Sequence, residues 1–130
     1  MRFKESKPIY LQIAERIADE ILQGVYAEDE RIPSVREYAV KVEVNVNTMV
    51  RSFENLQMNE IIYNKRGIGY FVAPGAVKSI QKMRKQQFKE EEMPDFFRQA
   101  SILGMTAEEL STAYSLYLKK AKQESNADPK

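Results

Sequence analysis

Residues 31–56, RIPSVREYAVKVEVNVNTMVRSFENL, carry two helical patterns with only a few residues between them. Ser34-x-x-Glu37 has the spacing of a capping box, in which each side chain satisfies an orphan amide at a helix start. Val35, Tyr38, Ala39 and Val42 supply the apolar face of that helix. Val42-Glu43-Val44 then leads straight to Asn45, a residue suited to capping a following helix. At roughly 100° per residue with Asn47 as zero, Val46, Met49, Val50, Phe53 and Leu56 fall between roughly 180° and 300°. On the same scale Asn47, Thr48, Arg51, Ser52 and Asn55 fall between roughly 0° and 140°. That division alone describes any amphipathic helix with a solvated side. Its neighbours say more.

Upstream, Ile9, Ile13, Ile17 and Ile21 recur every fourth residue behind Pro8, and Gly24 closes a helix over 8–23. Downstream, 61–63 and 70–72 are β-rich and flank the turn-forming NKRGIG, which predicts a β-hairpin with Lys65 and Arg66 at its tip. The glycines there supply the positive φ that such a turn needs. Three helices, the last two tightly joined, followed by a basic-tipped hairpin, predict a winged helix-turn-helix over residues 1–75. Pro74-Gly75 reads as a boundary. Beyond it, 76–120 is helical, with apolar stripes at Phe96, Phe97, Ala100 and Leu103 and at Leu110, Tyr114 and Tyr117. The polar stretch 121–130 reads as a disordered tail. The expected class is mostly α, a winged domain followed by a small helical segment.

Composition narrows the chemistry. A hydrophobic share of 43% can fill a core, and no run approaches the roughly 18 apolar residues of a membrane span. The N-terminus MRFKESKPIY lacks the apolar stretch of a signal peptide, so a cytoplasmic location is expected. With no His and no Cys, the commonest general base and the best thiol nucleophile are missing. The carboxylates sit mostly in charge runs such as Glu90-Glu91-Glu92, which read as solvated faces. No metal-ligand spacing appears, and the reading is of a non-enzyme without metal or cofactor. Net charge is +1, and residues 1–75 hold 10 basic against 11 acidic residues, so bulk charge gives no support to a nucleic-acid partner. Residues 31–75 hold six basic and four acidic residues, which leaves room for a locally basic face.

The side chains nevertheless suit DNA. A helix in the major groove presents its N-terminal residues to base edges. Asn pairs with adenine, Thr meets either an edge or a thymine methyl, and Arg fits guanine. Asn47, Thr48 and Arg51 share one face for that task. Asn45 belongs to the same row, although capping is its stronger role. Ser34 and Arg36 stand at a helix N-terminus, where a phosphate is favoured. Lys65 and Arg66 would approach a neighbouring minor groove.

These motifs together resemble the GntR family of bacterial transcription regulators. PIYLQIAERIADEILQG is similar to its opening helix, IPSVREYA to its Leu-Pro-Ser-x-Arg-x-Leu-Ala motif, and GIGYFV to its Gly-x-Gly-x-Phe-Val wing. VNVNTMVRSFENL resembles the form seen in the short YtrA-like branch. The resemblance covers about residues 8–73 and implies DNA contacts at Arg36, Asn47, Thr48, Arg51, Arg66 and Gly67. It implies a homodimeric repressor on a pseudo-palindromic operator, with transporter genes as neighbours. Three positions depart from the pattern. Glu43 and Glu60 stand where the family has Gly, so either a strained φ or a shift at Asn59 is expected. Val46 replaces a common Pro or basic residue. The alternative is a winged-helix module that contacts proteins rather than DNA. The C-terminal stripes imply self-association through Phe96, Phe97, Ala100, Leu103, Leu110, Tyr114 and Tyr117, because short helices bury little alone. So short a segment leaves little chain for an effector pocket, and the sequence names no effector.

Overall fold

The computed structural model describes residues 7–127. Most of the expected 1–75 and 121–130 segments fall within that span; residues 1–6 and 128–130 lie outside it. Among the described residues, six helices and one antiparallel hairpin follow in order: α1 (Ile9–Leu22), α2 (Val35–Val42), α3 (Val46–Met58), β1 (Ile62–Lys65), β2 (Gly69–Val72), α4 (Ala76–Glu91), α5 (Met93–Ile102) and α6 (Ala107–Ala127). Residues to Gln86 form one compact unit and those from Gln87 a second, so the division falls inside α4.

In the first unit, the expected helix-turn-helix forms with the expected local signals. Pro8 proves to be the residue before the first helical turn rather than its first position. Ser34 Oγ accepts the Glu37 N–H at 3.1 Å while a Glu37 carboxylate oxygen accepts the Ser34 N–H at 2.8 Å, so the capping box is complete. That bond from the Ser34 backbone, ahead of the one from its hydroxyl, holds the Glu37 carboxyl below its ordinary value. Glu43 ends α2 in the left-handed conformation at φ 55, and Glu60 takes φ 60 before the hairpin. Both departures from glycine therefore keep the glycine-like backbone, while Asn59 stays at φ −90 and absorbs nothing.

Phe53 of α3 stands at the centre of the core. Its ring meets Tyr38 edge-on at 5.9 Å and Tyr70 at 4.9 Å. Around it are buried Ile13, Ile17 and Ile21 of α1, Met49 and Leu56 of α3, and Ile62 and Val72 of the hairpin. The buried Tyr38 hydroxyl donates to a Glu20 carboxylate oxygen at 2.8 Å, and burial pushes its pKa far up.

Pro74-Gly75 does not end this unit, contrary to its reading as a boundary. Ala76 and Ile80 of α4 are fully buried in the same core, and Arg84 reaches Asp19 of α1 at 2.7 Å. The first half of α4 is thus the unit's last wall. In the second unit Thr106 and Glu109 form another capping box at the head of α6. That helix continues through residues 121–127, part of the stretch expected to be disordered.

Candidate nucleic-acid interface

Asn45 shows how α3 starts. Its side-chain oxygen accepts the Asn47 N–H at 2.7 Å, so the residue caps the helix, the stronger of its two expected roles. Its amide NH2 remains unused by that bond. Asn47 and Arg51 are exposed one turn apart, and Thr48 between them is half-buried. These three share a face, as their spacing predicts.

Two expectations about α3 need correction. Ser52 belongs to the core, not to the polar face: it is fully buried, and its hydroxyl donates to the Tyr10 carbonyl of α1 at 2.7 Å. Val46 and Val50 are each 36% exposed instead of lying in the apolar stripe. The causes are one. The core takes Met49, Ser52, Phe53 and Leu56 from α3, so the buried stripe is rotated towards Ser52 and away from the two valines.

Nothing in its sequence context marks Tyr10, yet it borders this face. The Arg51 guanidinium lies 4.3 Å from the centre of the Tyr10 ring, stacked as a cation on its π face. Helical spacing gives no signal for a pairing between residues so far apart along the chain.

At the head of α2, Ser34 is engaged in the capping box on both sides, its oxygen accepting the Glu37 N–H and its hydroxyl lying on the Glu37 carboxylate. Arg36 is exposed and forms no ion pair with Glu37, whose carboxylate is engaged by Ser34.

The hairpin is tighter than its sequence suggests. Lys65 is not in the turn: it pairs with Gly69 as the last rung of the ladder, leaving Arg66, Gly67 and Ile68 as the tip. Lys65 Nζ lies 4.9 Å from the centre of the Phe71 ring. Gly67 takes φ 78, which allows the turn to close with the Ile68 N–H on the Lys65 carbonyl at 2.9 Å. A short bridging segment, which the sequence does not signal, borders the hairpin. Arg31 bridges to Phe71, and the Ile32 N–H donates to the Tyr70 carbonyl at 2.9 Å. Gly69 takes φ 142, a conformation that side-chain-bearing residues rarely adopt, and the Arg31 side chain lies over it. Arg31, Lys65 and Arg66 thus gather three cations on the hairpin, two at its outer end.

In the second unit, Phe96, Phe97, Leu103, Tyr114 and Tyr117 are exposed by 48–75%, Leu110 is half-buried and Ala100 is buried. Among the described residues no helix is long and apolar enough to cross a membrane.

Residues 9–72 match the family described as bacterial regulatory proteins, gntR family. The chain is 36% identical to the Bacillus subtilis HTH-type transcriptional regulator YhcF, over 84% of this chain and 88% of that protein. It is 28% identical to the Bacillus subtilis HTH-type transcriptional repressor YtrA, over 82% of each. A solved structure of a putative transcriptional regulator of the GntR family from Bacteroides thetaiotaomicron superposes with a TM-score of 0.75 at 54% identity. It covers 88% of this chain and 99% of that one. The structure of AraR(DBD) in complex with operator ORR3 matches at TM-score 0.51 and 29% identity, covering 56% of this chain and 88% of that one.

Proposed function

This chain belongs to the GntR family of bacterial transcription regulators, and from that premise we propose that it binds operator DNA as a homodimer and represses transcription. The observation that carries the reading is the exposed start of α3. Asn47 and Arg51 project from a helix that Asn45 caps, beside a hairpin tipped by Arg66. An N-terminal helix face of this chemistry fits base edges in a major groove. In this reading Asn47 pairs with adenine, Arg51 with guanine, and Thr48 touches the same edge. Ser34 and Arg36 hold a phosphate at the N-terminus of α2, where the helix dipole favours an anion. Lys65, Arg66 and Gly67 track the neighbouring minor groove and backbone.

The operator complex of AraR(DBD) supports DNA as the partner, and the repressor YtrA supports the sense of regulation. Dimerisation is supported by the exposed aromatic residues of α5 and α6, which need a cover. Two copies would set two α3 helices about one DNA turn apart, roughly 34–36 Å, on a pseudo-palindrome.

A gel-shift with the DNA upstream of its own gene tests the proposal. Retention of the complex against scrambled competitor at moderate salt is expected. Equal competition by scrambled DNA contradicts it.

A further inference from the structure

Val46 and Val50 are apolar residues in the first half of α3, the half that carries Asn47 and Arg51, and both are left partly exposed. They stand four residues apart, so they lie one above the other on the helix surface. Both are 36% exposed, whereas Met49, Phe53 and Leu56 of the same helix are at most 1% exposed. At about 100° per residue they sit at roughly 260° and 300°, which places Val50 about 60° from Asn47 and 100° from Arg51. The outward face is therefore a mosaic: an amide, a guanidinium and two branched aliphatic side chains within two turns.

The major groove offers one apolar group to such a mosaic, the C5-methyl of thymine; its other edge atoms are hydrogen-bond donors and acceptors. A Val side chain placed against a hydrogen-bonding edge would leave that edge unpaired, which selects against adenine, guanine and cytosine at that position. Resting on the reading of α3 as the base-reading helix, we infer that Val46 and Val50 are specificity-determining residues that recognise thymine methyl groups. Each half-site then carries thymine next to the base pairs read by Asn47 and Arg51.

The experiment uses the full chain and a preferred site selected from a random-sequence duplex library. Every thymine of that site is replaced in turn by deoxyuridine, which lacks only the methyl group. Removing one buried methyl is expected to weaken wild-type binding about fourfold at one or two positions per half-site. The Val46→Ala and Val50→Ala variants should bind the site more weakly and lose that sensitivity, each at its own thymine. Neither substitution replaces a fully buried residue of α3, and thermal melting of each variant checks that the fold is kept. Unaltered affinity for every deoxyuridine site, or sensitivity that survives in both variants, overturns the inference while leaving DNA recognition intact. So does a selected site with no thymine beside the bases that Asn47→Ala and Arg51→Ala identify. Failure to select any preferred site removes the premise as well, and with it the role of the valines.

Discussion

Arg51 rests its guanidinium 4.3 Å above the Tyr10 ring, and the next residue, Ser52, donates to the Tyr10 carbonyl at 2.7 Å. One residue of α1 thus holds two neighbours on α3, one by its backbone and one by its ring. The hydrogen bond fixes the helix and the stack restrains the long Arg51 side chain over its face. A stack of this kind at an exposed site is worth about 0.5–1 kcal/mol. Arg51→Ala should cost about 1–3 kcal/mol of operator affinity and relax the choice at one base pair. Tyr10→Ala should cost less, and the double substitution less than the sum, because the two residues act through one contact. Fluorescence anisotropy on the selected site reads all three. Strict additivity would show that the stack has no part in binding.

The wing acts through charge. Arg66 occupies the tip, while Lys65 lies along the strand against Phe71. Arg66→Ala and Lys65→Ala should each weaken binding by a similar factor on every sequence. Each should also reduce the log–log salt slope by about 0.9 for every phosphate that the variant leaves unneutralised. A change in base preference instead would place these residues on base edges.

Glu43 and Glu60 hold left-handed backbone at φ 55 and 60, a conformation that costs a side-chain-bearing residue about 1–2 kcal/mol relative to glycine. Glycine relieves that strain but loses more chain entropy on folding, which offsets part of the gain. Glu43→Gly and Glu60→Gly should each raise the melting temperature by about 3 °C. Unchanged or lower melting in both variants would mean that the carboxylates make compensating contacts.

What is legible in the sequence is local. The capping box at Ser34, the Asn45 cap and the strained Glu43 turn each depend on residues within a few positions, so their motifs suffice. The burial of Ser52 depends on a hydrogen bond to a residue 42 positions away, which helical periodicity cannot register. Serine reads as polar until its acceptor is known. Lys65 sits one rung lower than its motif suggests because Arg66, Gly67 and Ile68 suffice to close the turn, which leaves Lys65 to pair with Gly69. Pro74-Gly75 has the chemistry of a linker, yet Ile80 beyond it finishes the core.

Assembly depends on the second unit. Phe97 is 48% exposed, and burying such a ring contributes about 1.5–3 kcal/mol. Phe97→Asp should dissociate a wild-type dimer and weaken binding to a two-half-site operator far more than to one half-site. Its first unit should keep its fold. Sedimentation at micromolar concentration reads the mass of each, and a wild type that sediments as a 15.1 kDa monomer contradicts the dimer.

The base-reading role of α3 is tested most directly by affinities for every single-base-pair variant of the selected site, measured with wild type and with Asn47→Ala. Wild type should lose about 1–3 kcal/mol at each contacted pair. Asn47→Ala should become indifferent at one A·T pair and keep the others. Equal wild-type affinity for all variants and for unrelated DNA would contradict base reading by α3.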